Sequence, residues 1–569
     1  MINLPKKALF PVFLVILLLP MFIHSSSSPV QTLVDNSEQS SFSAFNYTSG
    51  LEILNDTAFE LLNFEGNGTE AFPFLITDYN LVEDNHAPGI KIIDTTKFCV
   101  IANCTISLYL IGISLLNATN VVVSNNIIDY SSGSIDVNNC SNIEIVENTI
   151  SNSYGAIDID QSPGSIIEEN TITSQFTGIR LFNSPNCLIN DNIINLSSEG
   201  LGIYDSPGAI ITNNDFTHGG IQFRSDDHQL EDYLSYTVEN NTLNSEEIGF
   251  FKNIYNIDID ENIYGQLILI NCSSIFVIDL EFSDCITGLS AYYGDSIIVV
   301  GCTFTNNLEG SIVMYFVDDP WIHSVSISES SSYPGGILLY GCSSGDVQEN
   351  TFTNCNSGIQ VSYSKSLFIE NNIMEGCYSS GISIHSSNNI IIENNKCTNG
   401  SNIESGRIFV SDSYDCNIEN NVIEDNKGYG ILFYNASYCL IAANIIRNNH
   451  HYGVFLNQYT SNNIIYRNEF VDNCLGDYIP NINSQAKDSG SGNKWFSDFY
   501  NEGNYWNEHI SNAPYDIDGE AEAQDPYPLK KSPFETNMMV PFFLISVILL
   551  LTTQNKRKKI RISSKIDKV

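Results

Sequence analysis

The chain has few basic residues, and it contains no Cys-x-x-Cys pair. Its 569 residues include 24 lysines and arginines against 66 aspartates and glutamates. Such an acidic surface repels phosphates, so the composition excludes a nucleic acid partner. The absence of Cys-x-x-Cys argues against a cysteine-based metal site. A low apolar content would indicate disorder, but 43% of the residues are hydrophobic, which predicts a packed core.

Long apolar runs occur only near the two ends of the chain. Residues 1–27 contain two lysines, an apolar stretch and then small residues, which is the layout of a secretory signal peptide. The alternative is an uncleaved anchor helix. Residues 538–554 are apolar and, at about 17 residues, just long enough to cross a bilayer. Residues 555–569 are basic and should stay cytoplasmic, so the sequence predicts an extracytoplasmic or cell-surface protein with one C-terminal transmembrane helix. Between the ends, residues 28–537 carry 15 basic and 65 acidic residues, a balance of −50.

A four-residue motif, Glu-Asn-Thr-Ile, occurs at 147–150 and again at 169–172, 22 residues later. A second phrase, glycine followed by alternating apolar residues, keeps the same interval. Short alternating apolar segments with a period in the low twenties are typical of a stacked β-solenoid. Stacked turns place equivalent residues about 4.8 Å apart, so an inward asparagine can bond to its counterparts above and below. The predicted ladder consists of Asn126, Asn148, Asn170, Asn192, Asn214, Asn350, Asn372, Asn395, Asn421, Asn444 and Asn468.

The repeat predicts an all-β fold, a parallel β-solenoid of about 17 coils. Because an open coil exposes unpaired backbone groups, caps are expected at both ends. We predict an N-terminal cap at 28–85, repeats over 86–480 and a C-terminal cap at 481–537. The repeat lapses at about 225–279, where we expect a protruding loop or hairpin.

Two segments outside the repeats resemble those of a known family. Residues 64–81, FEGNGTEAFPFLITDYNL, resemble its first strand, and residues 503–529, GNYWNEHISNAPYDIDGEAEAQDPYPL, resemble its closing segment. With the repeats, they make the chain similar to right-handed parallel β-helix proteins with PbH1-type repeats, the pectate-lyase-like superfold, and above all to the NosD-type branch. The resemblance implies the fold over about 64–533. It says little about function, because this fold hosts many activities.

Four residues could form a lyase site of the kind found in pectate lyases, which this chain resembles in fold. Those enzymes hold Ca²⁺ between stacked aspartates and use an arginine or lysine to abstract a sugar proton. The strand after each repeat glycine would place such groups outward and in register on adjacent coils. The candidates are Asp136, Asp158, Asp160 and Arg180. The alternative interpretation is a solvated acidic face with one compensating arginine.

Aromatic and polar residues alternate at the outward second position of the same strand. Such a face suits an extended glycan, because sugar C–H faces pack on rings while hydroxyls need hydrogen bonds. Aromatics are also ordinary residues of a β-surface. The candidate glycan-binding residues are Phe182, Tyr204, Tyr340, His385 and Tyr434.

Three further features concern metals, disulfides and glycosylation. The closing segment carries carboxylates at alternate positions, which could bind Ca²⁺ or form a capping turn: Asp516, Asp518, Glu520 and Glu522. Two cysteine pairs occupy equivalent positions of adjacent coils and could form disulfides: Cys355 with Cys377, and Cys416 with Cys439. Asn-x-Ser/Thr sequons occur throughout the exported part, so the protein could be a glycoprotein.

The sequence therefore leads to three hypotheses about function. The first is a non-enzymatic, membrane-anchored surface β-helix that acts in adhesion, envelope structure or glycan binding, with no cofactor. The second is a polysaccharide lyase or hydrolase with an atypical site. The third, an accessory protein for metal-site maturation, is implied by the NosD resemblance alone, since those proteins are associated with the copper site of nitrous oxide reductase.

Overall fold

The structure is a computed structural model that describes residues 45–47, 50–474 and 484–534. The predicted signal peptide and the apolar segment 538–554 with its basic tail lie outside these residues. Within the described ranges, no helix is both long and apolar enough to cross a membrane.

The described chain forms a parallel β-solenoid of about 18 turns, close to the 17 that the repeat predicts. Successive turns pair in register, so that Ile150 lies beside Ile172 and Ile157 beside Ile179. Each turn contributes short strands to three stacked sheets. The inward positions are mainly isoleucine and valine, and together they form one continuous core. The alternation of inward apolar and outward polar residues is what fixes this register.

The first half of the stack contains a short helix, α1 (Asp56–Leu61), and eighteen strands. In chain order these are β1 (Phe45–Tyr47), β2 (Leu51–Ile53), β3 (Phe74–Thr77), β4 (Tyr79–Thr95), β5 (Cys99–Ala102), β6 (Thr105–Ser124), β7 (Ile127–Asp129), β8 (Gly133–Asn138), β9 (Ser141–Val146), β10 (Thr149–Asp160), β11 (Ile166–Glu168), β12 (Thr171–Phe182), β13 (Leu188–Asn190), β14 (Ile193–Asn195), β15 (Glu199–Tyr204), β16 (Ile210–Thr212), β17 (Asp215–Thr217) and β18 (Ile221–Arg224).

The middle of the stack begins with the helix α2 (Leu230–Ser235). The strands that follow are β19 (Thr237–Glu239), β20 (Thr242–Leu243), β21 (Glu246–Lys252), β22 (Tyr255–Ile259), β23 (Tyr264–Ile278), β24 (Glu281–Ser283), β25 (Thr287–Val300), β26 (Thr303–Thr305), β27 (Gly310–Asp318), β28 (Trp321–His323), β29 (Ser326–Ser328), β30 (Gly335–Tyr340), β31 (Asp346–Gln348), β32 (Thr351–Thr353) and β33 (Ser357–Ser362).

The last turns and the C-terminal cap consist of short strands. They are β34 (Phe368–Glu370), β35 (Ile373–Glu375), β36 (Ile382–His385), β37 (Ile391–Glu393), β38 (Lys396–Thr398), β39 (Gly406–Ser411), β40 (Asn417–Glu419), β41 (Val422–Glu424), β42 (Tyr429–Tyr434), β43 (Leu440–Ala442), β44 (Ile445–Arg447), β45 (Val454–Leu456), β46 (Ile464–Tyr466), β47 (Glu469–Val471), β48 (Ala486–Asp488), β49 (Tyr505–Trp506), β50 (Tyr515–Asp516) and β51 (Gln524–Asp525).

The asparagines of the predicted ladder are buried in the structure and bond from turn to turn. In the first half, the main-chain N–H and side-chain Nδ2 of Asn148 both donate to Oδ1 of Asn170, each at 3.0 Å, and Asn170 bonds to Asn192 in the same way. In the second half, Asn350 bonds to Asn372 with the same geometry. The ladder also includes Asn504, which accepts from Asn468.

A second ladder, which the sequence reasoning missed, is made of serines. The main-chain N–H of Ser162 donates to Oγ of Ser184, and that of Ser184 donates to Oγ of Ser206, both at 2.9 Å. The signal was present in the sequence, because these serines are also 22 residues apart.

The irregular segment at 225–279 is only in part the hairpin that the sequence predicts. β20 and β21 form an antiparallel pair, as expected for a hairpin. Strands β19 and β20 nevertheless continue the stack by pairing with β16 and β17, and β21 and β22 both pair with β23. Most of the segment is therefore part of the solenoid.

A column of small residues precedes the first inward position of the sheet that contains β15, β33 and β39. A Cβ at Gly178 or Gly358 would lie 2.5 Å from a main-chain oxygen of the next turn, so these turns need glycine. Three turns carry a long polar residue there instead, namely Gln266, Arg407 and Gln485, and all three side chains are buried. Gln266 and Arg407 lie beside the two surface cavities described below.

The two predicted disulfides are not formed, because all fourteen cysteines are free thiols. The thiol of Cys355 donates to the main-chain oxygen of Thr353, and that of Cys439 donates to Ser437. Parallel in-register side chains keep Cβ atoms about as far apart as the 4.8 Å turn spacing, whereas a disulfide needs about 3.5–4.5 Å.

Free and buried cysteines predict a simple chemical behaviour. Burial raises the pKa of the Cys99, Cys342 and Cys397 thiols to about 12, so they remain protonated and unreactive at neutral pH. We expect the native protein to react very little with a thiol reagent at pH 8 and to show its 14 thiols after denaturation without reductant. A mass lower by multiples of about 2 Da before reduction would instead show disulfides.

Candidate functional site

The four predicted lyase residues lie together on the outer face of one sheet. Asp136, Asp158 and Arg180 are in register on β8, β10 and β12. The Nε of Arg180 donates to Oδ1 of Asp158 at 2.9 Å, and its Nη2 pairs with the other carboxylate oxygen. Asp160 accepts a hydrogen bond from Asn138 at 2.8 Å.

This geometry does not suit a lyase base at Arg180. The hydrogen bond that Arg180 donates to Asp158 and, to a smaller extent, the charge of that carboxylate raise the pKa of the guanidinium above its usual value. A base that removes a sugar proton would need the opposite shift. Burial, followed by the charges of Asp158 and Asp160, raises the pKa of Asp136.

The cluster continues along the sheet through residues that the sequence reasoning did not select as catalytic candidates. Glu199 is 6% exposed, and its carboxylate lies over Gly202, where a Cβ would come within 2.5 Å of its Oε1. The hydroxyl of Tyr204 donates to that oxygen at 2.7 Å. Burial is the largest cause that raises the pKa of Glu199. The guanidinium of Arg224 lies over the Tyr204 ring, 5.1 Å from its centre.

Arg224 links the two halves of the stack. Its guanidinium forms an ion pair with Glu309, 85 residues away, and donates to Oε1 of Gln222 at 2.7 Å. Gln222 in turn donates to Glu309 at 2.7 Å. Here the edge of β18 is met by the buried side chain of Gln266, which accepts from the N–H of Ile221 at 3.0 Å and donates to its carbonyl at 2.7 Å.

A cavity of about 290 Å³ opens at this junction, and we call it the arginine cavity. It lies between β18, β25, β27 and β30. Its polar lining includes Arg224, Gln222 and Glu309, and its aromatic lining includes Tyr315 and Tyr333.

A second cavity, of about 390 Å³, lies over β33, β36, β39 and β42, and we call it the serine cavity. It shares Tyr333 with the arginine cavity, and that side chain is 70% exposed. Phe409 and Leu432 supply its apolar surface. Its polar side chains are Ser357, Gln360, Ser379, Ser380, Ser383, His385, Glu404, Ser405 and Ser411.

The five predicted glycan-binding residues lie in one outward column but not in one uninterrupted strip. Phe182 packs near Tyr204, with ring centres 6.4 Å apart. Tyr340, His385 and Tyr434 lie in register further along, separated by serines. Between these groups the helix α2 covers the column, because its Tyr233 stacks on Tyr292 at 4.4 Å.

Three of the four predicted acidic metal ligands of the closing segment have separate partners. Asp516 accepts from Gln524 at 2.6 Å, and Asp518 accepts from Tyr452 at 3.3 Å. Glu520 is hydrogen-bonded to Ser489, the largest cause of its lowered pKa. Among the described residues, no group of three or more histidines, cysteines, aspartates or glutamates is placed to hold a metal ion.

Carboxylates near this segment instead secure the aromatic cap. Asp488 accepts from the indole of Trp495, and Asp525 accepts from the indole of Trp506, both at 3.0 Å. Asp525 also accepts from the main-chain N–H of Asn504 at 2.7 Å, which ends the asparagine ladder.

Comparison with solved structures finds β-helix proteins at low similarity. A double mutant of the periplasmic alginate epimerase AlgG is 11% identical, with a TM-score of 0.29 and coverage of 76% of this chain and 84% of that one. PfbA, a surface adhesin of Streptococcus pneumoniae, is 11% identical, with a TM-score of 0.23 and coverage of 68% and 92%. The mannuronan C-5 epimerase AlgE4 A-module of Azotobacter vinelandii is 12% identical, with a TM-score of 0.21 and coverage of 53% and 81%. Scores this low carry no argument about activity.

Sequence families give the clearer result. No curated protein sequence matches the chain significantly. The family described as a right handed beta helix region matches residues 88–243. The family described as periplasmic copper-binding protein (NosD) matches residues 224–364 and 323–510, which together span just over half of the chain. The chain therefore belongs to the NosD family of β-helix proteins.

Proposed function

We propose that this protein is a non-enzymatic, extracytoplasmic β-helix that binds a glycan on the outer face of the sheet containing β15, β33 and β39. The observation that carries the proposal is the pair of adjoining cavities with Tyr333 exposed between them. Rings and aliphatic groups can pack on sugar C–H faces, and the serine and amide groups can bond to hydroxyls.

The location outside the cytoplasm is part of the same proposal. It rests on the signal-like residues 1–27 and on the apolar segment 538–554 with its basic tail, which would tether the solenoid to a membrane. The family is described as periplasmic, which supports this placement.

Protease treatment of intact cells should remove the solenoid and spare an epitope fused to the C-terminus.

An enzyme remains the second candidate, because of one observation. Glu199 is buried and burial raises its pKa, as a carboxylic acid that donates a proton in glycoside hydrolysis requires. The hydrogen bond that it accepts from Tyr204 acts in the opposite direction and lowers the pKa. Such hydrolysis uses a second carboxylate nearby. Glu309 is the candidate for this second carboxylate, but it already forms an ion pair with Arg224 and accepts a hydrogen bond from Gln222.

Copper handling, which the family description suggests, does not fit the side chains of this chain. Only His450 and His451 are adjacent in the chain, whereas His323 faces Glu349 and His385 faces Ser411. All the cysteines but Cys474 are buried, and burial raises the pKa of the Cys99, Cys342 and Cys397 thiols to about 12. No set of three ligands converges in the described part of the chain.

Binding and turnover assays separate the two main candidates. We expect full-length protein, purified in detergent, to bind glycans on an array and to release no reducing ends or unsaturated products from pectin, alginate or polygalacturonate, with or without Ca²⁺. Ca²⁺-dependent unsaturated product that disappears in Arg180→Ala would establish a lyase. New reducing ends that disappear in Glu199→Gln would establish a hydrolase.

A further inference from the structure

One buried amide in the serine cavity has no partner in the protein. Gln360 is 4% exposed and lines the cavity. Within the described residues, its side-chain amide makes no hydrogen bond to another group of the chain. Buried amides are nearly always hydrogen-bonded, because an unpaired one costs free energy. The Gln360 amide therefore faces the cavity as a donor and acceptor ready for a bound molecule.

The position of Gln360 makes the amide unusual. It lies in register between Leu338 and Ser383, and the next residues in the column are Phe409 and Leu432. An apolar side chain could occupy this position of the strand, as Leu338, Phe409 and Leu432 do in other turns. The amide is thus not needed for the fold.

One wall of the serine cavity is held in place from the core. The ladder interval from Asn395 to Asn421 is 26 residues, and the longer turn supplies Glu404, Ser405 and Gly406 to the cavity. Behind it, the buried guanidinium of Arg407 donates to the carbonyls of Cys377 at 3.0 Å and Asn402 at 3.2 Å.

Gly400 gives the guanidinium its space, because a Cβ at that position would lie 1.7 Å from Nη1 of Arg407. Since the main-chain contacts of Arg407 fix the longer turn before any ligand arrives, the wall is preorganised.

The charges around the two cavities identify the class of sugar. The described lining of the serine cavity contains no lysine or arginine, and Glu404 lines it. Its one histidine, His385, is hydrogen-bonded to Ser411 and lies 3.8 Å from the carboxylate of Asp412. The one basic residue of the arginine cavity, Arg224, is already paired with Glu309. A uronate carboxylate would find no free cation here and would face carboxylates at short range.

We propose that the serine cavity binds one uncharged hexose unit of the glycan, with Gln360 hydrogen-bonded to its hydroxyls and Tyr333 packed on its ring. This inference rests on the proposed glycan-binding function and adds the site and the sugar class. The volume of about 390 Å³ falls within the usual range of small-ligand sites, about 300–1,000 Å³.

The test compares neutral hexasaccharides (cello-, manno-, laminari- and malto-) with oligomers of polygalacturonate and alginate, by calorimetry on the full-length protein. We expect at least one neutral series to bind, with an affinity that changes little between 0.05 and 0.5 M NaCl, and the uronates to bind at least about tenfold more weakly. Tighter binding of the uronates would overturn the proposed sugar class.

Two variants locate the site. Gln360→Leu should weaken neutral binding by about 10-fold to 100-fold while the melting temperature stays the same or rises, because the unpartnered amide is removed. Tyr333→Ala should weaken binding to a similar degree. The matched control is Tyr255→Ala, because Tyr255 is also 70% exposed but lines neither cavity.

The outcomes separate this inference from the function on which it rests. Neutral binding that survives both Gln360→Leu and Tyr333→Ala would overturn the site and leave glycan binding intact. Failure of every neutral and acidic oligosaccharide to bind would overturn the proposed function itself. If Gln360→Leu lowers the melting temperature, Tyr333→Ala alone decides the location.

Discussion

Replacing Asn170 by aspartate is expected to lower the free energy of unfolding by about 3–5 kcal/mol. The Nδ2 of Asn170 donates to Ile145 O at 2.8 Å, to Glu168 O at 2.9 Å and to Asn192 Oδ1 at 3.0 Å. Aspartate would lose all three donor bonds and would place a carboxylate against these three oxygens. Urea denaturation followed by circular dichroism measures the change.

The loss should depend on pH in a defined direction. One carboxylate oxygen would still accept from Asn148, but the other would be buried against acceptors alone. This raises the folded-state pKa of the aspartate above its unfolded value of about 3.9, so the folded variant binds the extra proton. The destabilisation relative to wild type should therefore be smaller at pH 4 than at pH 7 and should grow as the pH rises.

An exposed asparagine provides the control for this substitution. Asn183 lies in a turn with φ of +47°, which asparagine and aspartate both tolerate, and its side chain is exposed. Asn183→Asp should change the free energy of unfolding by less than about 0.5 kcal/mol. Equal effects of the two substitutions would show that the ladder does not stabilise the stack.

The asparagine ladder could be predicted because its cause is local and repeated. Each asparagine bonds to the asparagine of the next turn, as Asn148 does to Asn170. The spacing of asparagines in the sequence is therefore enough to predict which residues pair. The same logic places Asp158 and Arg180 in register, and they do form an ion pair. The register could not show that this ion pair occupies the guanidinium of Arg180 and makes it unsuitable as the base of a lyase.

The junction and its cavities could not be predicted, because they depend on distant contacts. Arg224 meets Glu309 across 85 residues, and no repeat interval relates them. One signal was available in the sequence: long polar residues at Gln266 and Arg407 interrupt a column in which other turns carry glycine. These interruptions coincide with the walls of both cavities.

Replacing Gln266 by alanine is expected to weaken the coupling between the two halves of the solenoid by about 2–5 kcal/mol. Gln266 is fully buried, and besides its two bonds to Ile221 it donates to the carbonyl of Thr287 at 3.0 Å. Alanine would leave these main-chain groups without partners and would open a cavity between the halves. In a stacked repeat protein, cooperative unfolding depends on such interfaces.

The three tryptophans make this loss of coupling measurable. Trp321, Trp495 and Trp506 all lie in the second half, so fluorescence follows that half, whereas circular dichroism follows the strands of both. In the wild type the two urea midpoints should nearly coincide, and in Gln266→Ala they should separate, because the halves then unfold independently. Gln348→Ala, in the regular part of the stack, is the control and should leave the midpoints together. Coincident and unshifted midpoints in Gln266→Ala would mean that the halves are joined mainly by the Arg224–Glu309 pair and by the packing around Tyr292.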